Sequence, residues 1–351
     1  MPLLSAPAQS VCILRLSAVG DICHSLPVLR SIQAAWPHCK ITWVIGRNEY
    51  ELVKTIENVE FIVFQKSGGY QAYWRLWQQL RGRRFDVLLH MQMSLRASLV
   101  SLCIPATIRL GFDRDRAKDL QWLFSNAKIA AKGEQHVIDS FLEFVTAIGI
   151  QQPRLAWDIP IAKSARARAA QLLGEQNAFA VISPCSAMAY RNWSIEGYVA
   201  LADALASRNY RVVLTGGPSA LEQHYGTAIE TQAKSKPLNL IAKTTLPELL
   251  AVLDKASFVI SPDSGPAHMA TAVNTPVVGL YACTNPDRAR PYLSAKYVVN
   301  RYPEAVLAKY GKPPSQLAWG IRVRDPGTMD RIKIEDVLEK VDLLIHDLQQ
   351  S

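Results

Sequence analysis

Short runs of aliphatic and β-branched residues alternate with longer amphipathic stretches almost from the start of the chain, and after a proline-bearing break the alternation begins again. Such alternation marks βαβ units, which set strands side by side in a parallel sheet and cover its faces with helices. In the first series, segments 11–16, 41–45, 59–64, 87–90 and 107–112 read as strands, with helices near 22–36, 70–81 and 94–101 and a long amphipathic run at 136–149. Segment 151–163 holds two prolines and no periodic apolar face, and reads as a linker. The second series places strands at 178–183, 211–215, 238–241, 258–261 and 277–281. Its helices lie near 195–207, 220–233, 246–255 and 265–273. Segment 300–327 is irregular and stays unassigned, and 334–348 is a final amphipathic helix. The expectation is an α/β chain with two doubly wound domains, 1–155 and 164–333, followed by a terminal helix within 334–351.

Length supports two domains, since 351 residues exceed the roughly 100–200 of a single one. An apolar content of 49% against 20% charged excludes disordered and low-complexity classes. Lys and Arg outnumber Asp and Glu by 39 to 30, a net charge of +9. That balance calls for an anionic partner: nucleic acid, a phosphorylated substrate or an acidic membrane surface. No apolar run reaches the roughly 18 residues that span a bilayer, and segment 1–10 is too polar for a signal peptide, so a soluble cytoplasmic protein is expected. Six cysteines without a C-x-x-C pair read as buried, reduced thiols.

In tandem doubly wound domains, ligands are expected at the carboxyl ends of the strands, across a cleft, so the strand-to-helix loops are where chemistry should lie. The first loop, Ser17-Ala18-Val19-Gly20-Asp21, has one glycine and is neither a dinucleotide fingerprint nor a phosphate loop. Asp21 can cap the helix that follows, or serve as a general base toward a hydroxyl. In the second domain, Ser261-Pro262-Asp263-Ser264-Gly265-Pro266-Ala267-His268 leaves a strand and opens a helix. Small turn residues, a proline in the first turn and free N–H groups there suit an anion such as phosphate, though an ordinary capped helix start looks the same. Thr215-Gly216-Gly217-Pro218 permits close backbone approach, and Glu222 beyond it can accept ribose hydroxyls or simply be solvated. Ser183-Pro184-Cys185-Ser186, with Arg191-Asn192-Trp193 after it, also ends a strand. There Arg191 can neutralise a departing diphosphate or sit on the surface as an ordinary cation.

Arg96, Arg109, Arg114, Arg116 and Lys118 give the first domain a basic surface. Asp113-Arg114-Asp115 matches a D-x-D metal motif in form, but the cations around it oppose a divalent ion, and His24, His90, His136 and His268 show no ligand spacing. No metal site is expected. Trp74 and Trp77, at helical spacing with Tyr73 and Arg75, suit core packing or a lipid-facing helix better than nucleic-acid stacking. No nucleic-acid motif appears, so charge alone would support a nucleic-acid partner.

Leu-Ser-Ala-Val-Gly-Asp at 16–21, His-Ser-Leu-Pro at 24–27, Arg-Asn-Trp-Ser-Ile-Glu-Gly-Tyr at 191–198, Ser-Pro-Asp-Ser-Gly-Pro-Ala-His-Met-Ala at 261–270 and Gly-Leu-Tyr-Ala at 279–282 with Asn-Pro at 285–286 occur in this order. Together they resemble glycosyltransferase family 9, the ADP-heptose:lipopolysaccharide heptosyltransferases. Cys-Ile-Leu-Arg-Leu-Ser-Ala at 12–18, Ile-Ser-Pro-Cys-Ser at 182–186 and Gly-Lys-Pro-Pro-Ser-Gln-Leu-Ala-Trp at 311–319 are most similar to the heptosyltransferase I type, which adds the first heptose to Kdo on lipid A.

The resemblance implies a GT-B fold: an acceptor domain, a nucleotide-sugar domain and a last helix crossing back to the first. It implies inverting, metal-independent transfer of heptose from ADP-heptose, with Asp21 as base. Asp263, Ser264, Gly265 and His268 match the ADP-phosphate signature, Glu222 falls near the family's ribose-binding glutamate, and Ser186 and Gly216 join the donor site. Arg191 stands where a lysine is common. Arg96, Arg114, Arg116, Lys118 and His136 are the expected contacts to the Kdo–lipid A acceptor at the inner leaflet, with peripheral membrane contact and no nucleic acid. A heptosyltransferase II or III acting on heptosylated core, or a nucleotide-sugar 2-epimerase of the same fold, is the alternative.

Overall fold

The computed structural model describes residues 2–174 and 178–350. Contacts divide the chain between Pro160 and Ile161 into two compact units. That division falls within the proline-bearing linker, where residues 153–162 form neither helix nor strand.

In the first unit, β1 (Ser10–Leu14), β2 (Lys40–Gly46), β3 (Glu60–Phe64), β4 (Phe85–His90), β5 (Ala106–Gly111) and the two-residue β6 (Ala127–Lys128) form one sheet. All its pairings are parallel, in the order 3-2-1-4-5-6. Val11 through Leu14 and Val87 through Leu89 have no exposed surface, as central strands covered on both faces must. The helices are α1 (Val19–Ala35), α2 (Arg47–Val53), α3 (Gly69–Leu80), α4 (Leu95–Leu102) and α5 (Val137–Ala147). Ala72, Leu76 and Leu80 of α3 and Ala97 and Val100 of α4 pack in one cluster with Cys12, Leu14, Leu16 and Val44. α3 and α4 therefore cover the same face of the sheet, and α1 packs beside α5.

The second unit opens with α6 (Lys163–Leu173) and contains β7 (Phe179–Ile182), β8 (Arg211–Leu214), β9 (Leu238–Asn239), β10 (Phe258–Pro262), β11 (Val277–Tyr281) and β12 (Val298–Asn300). Its order, 12-11-10-7-8-9, repeats that of the first sheet when strands are counted from β7. Between the strands lie α7 (Ile195–Ser207), α8 (Ala220–Gln232), α9 (Leu246–Lys255), α10 (Gly265–Ala272) and α11 (Pro286–Ala289), and α12 (Tyr302–Tyr310) and α13 (Ile334–Gln350) follow. In each unit the chain leaves in opposite directions from two adjacent strands, β1 and β4 or β7 and β10. A crevice opens at that switch point, beyond the strand carboxyl ends.

One expectation changes here, and the packing of the last helix is seen within the second unit. Segment 300–327 is organised: α12 buries Tyr302, Ala305 and Val306 against Val323, and Pro303 starts the helix in its first turn, where its missing N–H costs nothing. The last helix, expected to cross back to the first unit, sets Val337, Val341 and Leu344 into the core of the second, with Trp193, Leu205 and Val299. Burying each such side chain contributes about 2 kcal/mol, and Trp193 Nε1 donates to Ile332 O at 2.9 Å just ahead of that helix. Ser351, the end of the expected segment, lies outside the described residues.

Candidate active site

At the first switch point, β1 runs into a loop and then α1, with Ala18 as the N-cap and Asp21 at the third helical position. Asp21 is thus not the cap residue; its Oδ2 instead accepts from the Ala18 N–H at 3.4 Å. The same oxygen forms an ion pair with the Arg15 guanidinium, and His24 Nδ1 lies 3.9 Å from Oδ1. Arg15 is held from behind, where its second terminal nitrogen donates to Met91 O beyond β4. Burial alone would raise the Asp21 carboxyl, but the Arg15 charge and His24 override it and hold the group well below the usual carboxylate range. About a third of the Asp21 side chain is exposed, at 35% against 9% for Arg15, so an ionised carboxylate faces solvent at the end of the first strand.

His90, at the end of β4, has no exposed surface. Burial, aided by the Arg109 charge, pulls it down to about 3, so its imidazole stays uncharged at neutral pH. His136 caps α5 and accepts the Ile138 N–H on Nδ1 at 3.2 Å. Its ring meets that of His24 edge to face at 5.8 Å, so His136 stands behind His24 in the same cluster.

At the second switch point, Ser264 is the N-cap of α10 but its side chain does not cap the helix. Its hydroxyl bonds to that of Ser261 at 2.6 Å, Ser261 Oγ donates to Ser183 O at 3.2 Å, and the Ser183 and Thr215 hydroxyls meet at 2.5 Å. This hydroxyl chain ties the ends of β10, β7 and β8 together and turns the Ser264 hydroxyl away from the start of α10. Asp263, just before the cap, pairs with Arg191 Nη1 at 3.0 Å, and His268 Nε2 lies 3.8 Å away. Burial would raise Asp263, but bonding to His268, the Arg191 charge and bonding to Thr284 hold it below the ordinary value. The Arg191 charge is therefore balanced within the protein. Its Nε, however, is buried without a partner, and so is Nδ2 of Asn192. Asn192 Oδ1 is engaged by the Ser186 N–H at 2.8 Å, which fixes the amide orientation and leaves Nδ2 as an unused donor. Buried donors left in this way call for an acceptor that the protein does not supply.

The family described as Glycosyltransferase family 9 (heptosyltransferase) matches residues 73–316. The chain belongs to glycosyltransferase family 9. It is 38% identical over 338 residues to the lipopolysaccharide core heptosyltransferase OpsX of Haemophilus influenzae, covering 96% of this chain and 97% of that one. Among solved structures, a glycosyltransferase family 9 protein from Veillonella parvula superposes with a TM-score of 0.78 at 22% identity over 98% of both chains. The E. coli heptosyltransferase WaaC with ADP superposes with a TM-score of 0.70 at 20% identity, covering 95% of this chain and 99% of that one. These likenesses establish the expected two-unit GT-B fold.

In this family 9 glycosyltransferase the remaining expected residues separate into engaged and open groups. Glu222 is the third residue of α8 and reaches back to its start: Oε1 accepts the Gly217 N–H at 2.7 Å and Oε2 the Ser219 hydroxyl at 2.6 Å. It shapes the Gly216-Gly217 loop, and a Cβ on Gly216 would lie 3.2 Å from Oε1 and 3.3 Å from Ile241. Arg116, expected to meet the acceptor, is spent inside the protein on Asp113, Gln135, Ser140 and Ala130 O. Arg109 likewise clasps Phe124, Ile104 and Ser101. Asp113, the first acid of the D-x-D stretch, is taken by Arg116 and the Asp115 and Arg116 N–H groups. Among the described residues, no three His, Cys, Asp or Glu side chains gather as a metal site. Arg96 and Lys118 remain exposed, while Arg114 lies over the Trp122 ring at 5.2 Å. Sequence reasoning missed Arg15; the available signal was a cation one step beyond an apolar strand, at the very end where ligands bind.

Proposed function

We propose that the chain transfers L-glycero-D-manno-heptose from ADP-heptose to Kdo, or phosphorylated Kdo, of lipid A in lipopolysaccharide inner-core synthesis. The observation that carries the reading is the uncapped start of α10, flanked by the buried, unpartnered donors Arg191 Nε and Asn192 Nδ2. A diphosphate supplies the acceptor oxygens these groups lack, and the helix dipole favours its charge. Ser186 and Gly216 line the adjoining strand-end loops, and Glu222 orders the loop that meets the ribose. Asp263 and His268 hold Arg191 and the turn in place.

In the proposed mechanism, an acceptor hydroxyl attacks the anomeric carbon from the face opposite ADP. The new C–O bond forms as the bond to the β-phosphate oxygen breaks, and ADP leaves with the electron pair. Asp21 takes the hydroxyl proton. A carboxylate held this far down is a weak base, so it takes the proton late, once bonding to the anomeric carbon has made the hydroxyl acidic. Charge on the leaving diphosphate is met by the helix start, Arg191 and Asn192, preorganised groups that act without a metal ion. Arg96, Arg114 and Lys118 bind the acceptor's carboxylates and phosphates, and His136 supports this side through His24.

The acceptor is a lipid, so the enzyme is proposed to work at the cytoplasmic face of the inner membrane as a peripheral protein. No helix among the described residues is long and apolar enough to cross a membrane. The deciding experiment supplies ADP-heptose with Kdo–lipid A, phosphorylated Kdo–lipid A and heptosylated acceptor in parallel. Product with either of the first two supports the reading; product with the heptosylated acceptor alone overturns it. Donor isomerised without any acceptor would instead point to an epimerase.

A further inference from the structure

α3 and α4 have apolar surface on both sides. Their inner residues pack on the sheet, yet Trp74 and Trp77 of α3 are 56% and 45% exposed, and Leu99 and Leu102 of α4 are 41% and 62% exposed. Residue 74 lies nearly half a helical turn from the centre of the buried 72, 76 and 80, residue 77 lies beside that buried stripe at about a quarter turn, and residues 99 and 102 lie well over a quarter turn from the centre of 97 and 100. The exposed side chains of both helices therefore lie outside the stripes packed on that sheet face. The helices touch, with Cys103 Sγ 3.6 Å from Tyr73 O at the end of α4. The turn Gln121–Phe124 packs beside α4 and adds exposed Trp122 and Leu123.

An apolar surface of this kind on a soluble unit marks an interaction face, and the charges around it select the partner. Segment 66–124 carries ten Lys and Arg against four Asp and Glu, so it holds six of the chain's nine net positive charges. Two of the exposed indoles carry guanidinium groups on them, Arg81 over Trp77 at 5.4 Å and Arg114 over Trp122 at 5.2 Å. Arginine, tryptophan and leucine side by side suit the headgroup level of a bilayer, where indole rings settle and basic side chains meet anionic lipid. The patch also adjoins the candidate site. Gln92 accepts the Leu16 N–H at the end of β1 and reaches the α4 cap Ser94, while Asp119, just before the Gln121–Phe124 turn, accepts the Leu95 N–H.

We infer that the outer face of α3, α4 and the Gln121–Phe124 turn is the surface by which the first unit docks on an anionic phospholipid bilayer. The inference deepens the proposed function, since a lipid-borne acceptor must be reached at such a surface. Docking places the Asp21 side of the unit near the headgroups without any membrane-spanning segment.

The test uses the full chain and vesicles of phosphatidylglycerol with phosphatidylethanolamine, compared with phosphatidylcholine alone, in the absence of acceptor. The parent should partition at least about tenfold more strongly onto the anionic vesicles, and less at high salt. Combined Trp74→Ser, Trp77→Ser and Leu102→Ser should lower that partition about tenfold and leave transfer to a deacylated, water-soluble acceptor unchanged. These side chains face away from the core, so melting should match the parent. Bromine-labelled anionic lipid should quench the parent's tryptophan fluorescence, which reads the same contact without any substitution. Equal partition of parent and variant overturns the inference, as does absence of quenching. A concentration-dependent dimer that the variant abolishes would also overturn it, by assigning the face to a second copy. Failure of transfer to the soluble acceptor in the parent counts against the proposed reaction, while vesicle partition still decides the surface.

Discussion

Arg15, just past the first strand, and Asp21, in the first turn of the first helix, form an ion pair across the loop between them, with Arg15 braced on Met91 O. The pair keeps Asp21 ionised at a point where burial alone would favour its protonation.

Asp21→Asn removes the acceptor of the proton while keeping the shape of the side chain. Transfer should fall by about 10²–10⁴-fold, with ADP affinity, measured by calorimetry, within about threefold of the parent. Retention of most of the rate would remove Asp21 as the base.

Arg15→Met should change the pH profile more than the fold. Without the guanidinium, burial pushes the Asp21 carboxyl up, and the acid limb of kcat/KM should move to higher pH by about a unit or more. An unmoved limb would mean that Arg15 does not set the ionisation of the base.

Asn192→Asp keeps an oxygen for the Ser186 N–H but replaces the unpartnered donor with a negative charge. If a diphosphate rests there, ADP binding should weaken about tenfold or more, while thermal melting in the absence of ligand changes little. Unaltered ADP affinity would place the diphosphate elsewhere.

Arg191→Met strands Asp263, whose side chain is only 12% exposed. Losing one partner of a buried pair costs about 3 kcal/mol, to be read by chemical denaturation. Asp263 lies below its ordinary value in the folded protein. The stability it contributes is therefore complete above about pH 4 and declines as pH falls toward the folded value. Arg191→Met should flatten that part of the acid-stability curve.

Prolonged treatment with a metal chelator should leave the transfer rate within about twofold of the untreated enzyme, because the leaving group is met by fixed charges and amides. Loss of activity restored by one divalent cation would require a metal in the mechanism.

Strand positions were legible in the amino-acid sequence because buried parallel strands are continuous apolar runs; β1, β4, β10 and β11 fall within a few residues of their expected places. Elements missed were those lacking such a run. β6 is two residues long, and α6 buries only Ala165, Ala169 and Leu173, so alanines conceal its apolar face. Within the candidate site, the motif that opens α10 could be read directly. What could not be read was which cations are engaged: Arg114 and Arg116 lie two residues apart, yet one lies over an exposed indole while the other is consumed by Asp113. Linear spacing does not encode that choice, because the Gln135 and Ser140 contacts of Arg116 come from a later stretch of chain.

In each unit the two strands that flank the switch point end in a helix start; α1 follows the first strand of its sheet and α10 the fourth strand of its own, and these two starts are furnished oppositely. At the head of α1 the protein places a carboxylate of its own, so an incoming anion is repelled there and a hydroxyl is welcome. At the head of α10 the Ser264 hydroxyl is turned away to Ser261 and does not cap the helix. In the proposed reaction the two starts would divide two substrates by charge: the one holding the protein's own acid suits a hydroxyl, and the one whose cap side chain is turned aside suits a phosphate.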